Sequence, residues 1–240
     1  MSGLAPRALR DSVHPRRLSD VVVRPLNFTV RWHMASDNWF RNVTWNDSVA
    51  QTFEARLRRA RRKEQYLRIQ ASMLREGHPE VTHALLDRYF ALPDQFDAAQ
   101  AHVDRAHAYL AQQRVEEAIL AFERALSRED EFPTLKTEAY IDLPFEIATR
   151  RLIPYYDRAL DLLERHQSRR TFPVDFFRWN AAQALIAASA GRTNACYPFA
   201  RAALDAAERQ SSGFSHHPDV GLVSNSLSGI VAEMRRLCAI

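Results

Sequence analysis

Two segments of this chain share one spacing of small and aromatic residues, Ala118-x3-Phe122-x2-Ala125 and Ala195-x3-Phe199-x2-Ala202. Offsets of four and three return to the same face of an α-helix. Each segment therefore offers a strip where a second helix can approach at the alanines while the aromatic fills the gap to the next element. Ala106 and Tyr109 precede the first copy and supply a matching strip for the other arm of a helical hairpin. A hairpin that recurs cannot bury its apolar faces alone, and stacking its copies is the solution open to the chain. Six glycines among 240 residues, with abundant Ala, Leu and Arg, point to an all-α protein with no need of a sheet.

With the first copy as frame, one unit spans about residues 99–132. A step of about 34 residues back gives 65–98, where Ala84 and Ala91 take the places of Ala118 and Ala125 and Arg88 that of the aromatic. The step forward gives 133–166, with Tyr156 and Ala159 in register, and Pro144 and Pro154 predict a kinked, less regular unit. A fourth unit, about 176–209, follows an insertion and carries Trp179, a turn at Gly191 and the second copy of the pattern. Leu227, Val231, Met234 and Leu237 predict an amphipathic helix over about 225–238 that caps the open end. Upstream, Thr44 reads as an N-cap with Asp47 in the first turn. One helical face then runs through Phe53, Leu57, Ala60, Leu67, Ala71 and Leu74 to a stop at Gly77; Pro79 restarts a helix that ends by Pro93.

Charge is unevenly placed. Residues 1–33 hold six arginines against Asp11 and Asp20, which accounts for the whole net charge of +4. This stretch reads as a disordered basic tail or a misassigned extension ahead of Met34, with residues 34–240 as one helical repeat domain. The remaining body holds 27 basic and 27 acidic groups, so its overall charge does not argue for nucleic acid. The longest early apolar run, Val21-Val22-Val23, is too short for a signal peptide or a membrane span. With only Cys196 and Cys238, and no paired spacing, a cytoplasmic, reducing location is expected.

The unit at 99–132, through Ala106, Tyr109, Ala118, Phe122 and Ala125, resembles the tetratricopeptide repeat. It lacks that family's first-helix tryptophan and has Asp130 where proline is common; the unit at 176–209 has Trp179 but Gln183 at a small-residue position. The resemblance covers about residues 65–209 and implies a right-handed α–α superhelical solenoid of about four hairpins plus the C-terminal cap. It also implies a concave wall made by the first helix of each unit. On this frame the wall consists of Tyr66, Ile69 and Met73, then Val103, His107 and Leu110, then Thr137, Ile141 and Phe145, then Phe177, Asn180 and Ala184. Such a wall is mainly apolar and lacks the lysines and asparagines with which family members clamp acidic chaperone tails. The expected role is thus a non-catalytic scaffold or adaptor that binds a protein, peptide or helix in an apolar groove. Trp39, Phe40 and Trp45 either cap the stack or plug that groove.

Other chemistry is sparse. His78/His83 and His102/His107 are five apart, not aligned on one face, and no HExxH or Cys/His cluster exists, so no metal is expected. Asp142, Glu146 and Arg150 read as a solvated i, i+4 ladder. No phosphate-cradling glycine loop or nucleophile elbow is present, and neither a cofactor nor a catalytic residue is expected. Arg56, Arg58, Arg59, Arg61, Arg62 and Lys63 form a basic ridge on the upstream helix. Besides a solvated face, it offers a second function: a regulatory site for nucleic acid or an acidic partner, although no aromatic lies within the run. A sensor closing on a small ligand or peptide is a third reading. Asn27, Asn42 and Asn46 begin glycosylation-like triplets but no secretory signal accompanies them.

Overall fold

The computed structural model describes residues 38–93 and 95–239, which belong to a compact unit of Asp37–Ile240. The basic tail of residues 1–33, the Met34 start and the Asn27 triplet lie outside the described residues. Among the described residues the fold is all-α, with ten α-helices and no strand.

The upstream pattern does not form one helix. α1 (Asp47–Leu57) is capped by Asn46, whose Oδ1 accepts from the Val49 amide at 3.0 Å, two residues after the expected Thr44. α1 stops at Leu57, the chain turns through residues 58–62, and α2 (Lys63–Leu74) begins. Packing forces the break. A straight helix would hold Phe53 and Leu74 about 30 Å apart, yet both lie in one core cluster with Leu57, Leu67, Leu86 and Tyr89. The arginine-rich stretch, whose only apolar residue between Leu57 and α2 is Ala60, has nothing to bury and becomes the turn.

Next come α3 (Pro79–Phe90), started by its N-terminal proline as expected, α4 (Ala98–Ala111) and α5 (Val115–Glu131). They are followed by α6 (Ala139–Thr149), α7 (Tyr156–Arg165), α8 (Pro173–Ser189), α9 (Thr193–Ala207) and α10 (Ser228–Cys238). Consecutive helices pair as hairpins, α2 with α3, α4 with α5, α6 with α7 and α8 with α9, and α10 closes on α9. Neighbouring hairpins meet where α3 packs on α4, α5 on α6 and α6 on α8. Pro144 lies inside α6, and Arg151 takes φ 56° just after it, so both arms of this hairpin are short.

The repeat register holds in the middle and slips at both ends. Ala118, Phe122 and Ala125 are buried in α5, and Tyr156 and Ala159 are buried at the matching places of α7. On and just after α3 the expected Ala84 and Ala91 are exposed, and Leu85 and Tyr89, one residue on from Ala84 and Arg88, carry the packing. In α9 Ala195 is exposed, while Cys196, Ala200 and Ala203 are buried, again one residue on. Each end hairpin has an extra neighbour outside the repeat. α10 packs on α9, and Arg88 of α3 forks onto Glu54 of α1 through two bonds of 2.5 and 3.1 Å. Such a neighbour re-centres the buried face.

Where α3 meets α4, the His102 ring stacks on Phe90 with centroids 4.5 Å apart. Burial, then Arg105, Arg124 and Arg128, push its pKa down to about 4. An unfolded histidine takes up a proton near pH 6.5, so the folded state loses stability as pH falls from 6.5 towards 4. The loss expected from this ring is about 2 kcal/mol, less than the full shift because the ring keeps some solvent contact. Urea unfolding at pH 7 and pH 5 checks this: His102→Gln should flatten the difference between the two.

The segment between α9 and α10 returns to the start of α8. Gly221 sits at φ 70°, its carbonyl accepts from the Val174 amide at 2.9 Å, and a Cβ there would overlap the Phe172 side chain. Gly221→Ala is expected to cost about 3 kcal/mol from left-handed strain and overpacking together, read as a lower thermal midpoint. Gly213→Ala, at φ 88° but with nothing within 4 Å of a Cβ, should cost less.

Candidate functional site

The first helices of the four hairpins are joined edge to edge by carboxylates sunk between cationic side chains. On α4, Asp104 is 0% exposed and takes Arg75 Nη1 at 3.2 Å and Arg68 Nη1 at 3.8 Å, the first from the C-cap of α2 and the second from within it. Gln100 and Ser72 also donate to it. Burial pushes the Asp104 carboxyl above its ordinary range, and Arg75 and Arg68 pull it back. On α6, Asp142 is 7% exposed; its Oδ2 lies 3.1 Å from His107 Nε2 on α4, and its Oδ1 accepts from Arg178 Nη1 on α8 at 2.8 Å. One polar line thus runs α2, α4, α6, α8. The side chains that reach its solvent side are Arg75 and Arg178, about 30% exposed, and His107, at 22%.

This line corrects the sequence reading of Asp142. It makes no i, i+4 ladder: Glu146 pairs with Arg150 at 2.8 Å, while Asp142 belongs to the bridge between helices. The expected apolar wall is largely withdrawn from the surface. Val103, Leu110, Ile141, Phe145, Phe177 and Ala184 are buried in the cores, as are Thr137 and Asn180. Thr137 instead donates to the Glu129 carboxylate, which also takes Arg169 at 2.7 Å. Asn180 donates to the Phe176 carbonyl. Residues at these positions face neighbouring hairpins as well as the groove, and alanine-rich partners let the hairpins close over them. Tyr66, Ile69 and His107 stay half-buried, and Met73 is exposed. The interhelical arginines escaped the sequence reading because Arg68 and Arg178 have nearer candidates at helical spacing, Glu64 and Asp175, and nothing local points to Asp104 or Asp142.

The four histidines that invited a metal have separate duties. His78 Nε2 accepts from the Trp45 amide at 3.1 Å, His83 bonds Gln112, His102 stacks on Phe90 and His107 meets Asp142. Among the described residues no group of three or more His, Cys, Asp or Glu is placed to hold a metal ion. Likewise, no helix there is long and apolar enough to cross a membrane.

The segment with Trp39, Phe40 and Trp45 lies on the first hairpin. Trp39 and Phe40 pack on Tyr66 at 4.8 and 4.7 Å, and Trp45 meets Phe53 at 5.5 Å. Buried Gln70 of α2 clamps Asn42, accepting from its side chain at 2.7 Å and donating to its carbonyl at 2.8 Å.

The basic ridge is a turn rather than a helix face. Arg58, Arg59, Arg61 and Arg62 are exposed between α1 and α2, Lys63 is exposed at the first position of α2, and Arg56 is exposed near the end of α1. An aromatic that the linear run lacks arrives by folding: Trp39 and Tyr66 line an open cleft of about 500 Å³ with Arg56, Arg59 and Ala60. At the opposite end, Cys196 and Cys238, 42 positions apart in sequence, come together in one cluster as free thiols. Burial pushes the Cys196 thiol up, and Cys238 adds to the effect.

Compared with known proteins, the chain matches no family model, no curated protein and no solved structure.

Proposed function

We propose that this body is a non-catalytic protein-interaction module, a right-handed solenoid of tetratricopeptide-like hairpins that holds a partner segment along the wall of α2, α4, α6 and α8. The observation that carries the reading is the polar line through Asp104 and Asp142, which links the α2 end to α4, α4 to α6 and α6 to α8 through side chains and leaves Arg75, His107 and Arg178 with part of their surface in water. The proposed mode differs from an apolar groove. Met73, Tyr66 and Ile69 supply apolar contact at one end, and guanidinium N–H groups not spent on the buried carboxylates supply directional bonds to a partner's carboxylates or carbonyls. Binding of this kind leans on fixed donors, so a partner segment would be held in register more than by buried area.

The test places a photo-crosslinking amino acid at Met73 in the full chain, with Leu120, which is 59% exposed on α5, as the comparison site. A protein adduct of discrete mass from position 73 in host lysate, absent from position 120, is the expected result. Equal adducts from both positions would overturn the reading.

A further inference from the structure

Six cations occupy the eight residues from Arg56 to Lys63. The rest of the body, residues 34–55 and 64–240, is left with 21 basic against 27 acidic groups, so a neutral total hides one concentrated positive patch. Glu54, the nearest carboxylate on α1, is engaged by both Nη atoms of Arg88. Among the described residues no carboxylate pairs with Arg58, Arg59, Arg61, Arg62 or Lys63. Beside the patch lies the cleft of Trp39, Arg56, Arg59, Ala60 and Tyr66, which contains two arginines, two aromatic rings and no carboxylate. A second cleft, on the side of Arg62, has Glu64 and Asp97 in its wall and does not share this character.

We propose that the α1–α2 turn binds single-stranded nucleic acid, with the backbone phosphates on Arg58, Arg61 and Arg62 and a base seated in the Trp39–Tyr66 cleft. Exposed arginines in a run suit successive phosphates, because each guanidinium offers forked donors and loses little hydration. An aromatic floor with a cation at its rim is the other half of sequence-tolerant single-strand binding. An acidic polypeptide would use the arginines but gain nothing from the rings. A duplex keeps its bases stacked inside, out of reach of the cleft. The cores explain why the site is pre-formed: Trp39 is held against Phe53 and Tyr66 at 5.4 and 4.8 Å, and the Asn42–Gln70 clamp fixes its segment.

The experiment titrates the full chain with a fluorescein-labelled oligouridylate 12-mer over a series of salt concentrations. It is repeated with the triple variant Arg58→Ala, Arg61→Ala, Arg62→Ala, whose sites are exposed and outside the cores. Expected is a loss of at least tenfold in affinity, and a salt slope reduced by about two, near 0.7 for each phosphate contact removed. The 12-mer should also quench tryptophan emission, and Trp39→Phe, which keeps a ring in the core, should abolish most of that quenching. The basic stretch of residues 1–33 is present in every protein compared, so it cannot produce the difference. An unchanged affinity and slope in the triple variant would overturn the proposal. So would quenching that persists in Trp39→Phe, or competition by an equally charged oligoglutamate at the same concentration as the 12-mer.

Discussion

Phe177→Ala is expected to remove about 4 kcal/mol of stability, within the range for deleting a buried aromatic. Phe177 is 0% exposed and lies among Ala181, Ala184, Ala200 and Ala203, with Met234 from the last helix. Alanines cannot swing into the void that truncation leaves, while Met234 can fill part of it, which puts the cost near the middle of the range. Urea unfolding followed by far-ultraviolet circular dichroism measures it as a lower midpoint with an unchanged slope. The same experiment on Met73→Ala, at an exposed position of α2, should show a loss of less than about 0.5 kcal/mol. A small loss at Phe177 would mean that α8 and α9 are not packed as described. The contrast also matters for any study of partner binding. Polar substitutions at Ile141 and Phe177 would report on folding, and changes at His107 or Arg178 would strand the buried Asp142 carboxylate, whereas Met73 can be altered with the cores intact.

Arg75→Met is the second large effect, and its sign with pH is distinctive. The methionine keeps an apolar stem but withdraws the guanidinium 3.2 Å from Asp104, leaving Arg68 at 3.8 Å as the one cation beside a wholly buried carboxylate. Breaking one side of a buried ionic contact is expected to cost about 3 kcal/mol at pH 7. Asp104 already has its pKa raised by burial, and the variant removes a group that opposes the rise. A carboxyl whose folded pKa exceeds its unfolded value binds more protons in the native state. Its penalty therefore grows as pH climbs through that window and shrinks as pH falls towards 4. The loss in Arg75→Met should accordingly be larger at pH 7 than at pH 4.5. Asp104→Leu added to Arg75→Met should recover part of it, since the double variant removes the stranded charge. Equal losses at both pH values would show that Arg75 acts through packing of its stem alone.

How much of this could be read from the residues differs by element. Hairpin periods, the proline start of α3, the turn at Gly191 with φ 68° and the final amphipathic helix are local matters, and the chain states them openly. Burial of Ala118, Phe122 and Ala125 also follows from their spacing, because α5 has hairpin neighbours on both sides as a repeat requires. The one-residue slip at Ala84 and Ala195 does not, since a period of 3.6 places several faces within reach and the neighbours choose among them. The break at residues 58–62 was hidden for a related reason. Arginine is a good helix former, and only the gain from folding Phe53 back onto Leu74 ends α1 there.

Local chemistry thus determined that the described chain is all helical, where α3 begins, where α8 turns into α9 and where the last helix lies, and which stripes are apolar. Tertiary structure alone decided which stripes are interior. It turned an apolar wall into a core, made Asp104 and Asp142 into bridges between hairpins and set Trp39 and Tyr66 beside arginines that have no aromatic within their own run. Helix formation depends on residues three and four apart, while burial and ion pairing depend on side chains about 30 to 40 positions away.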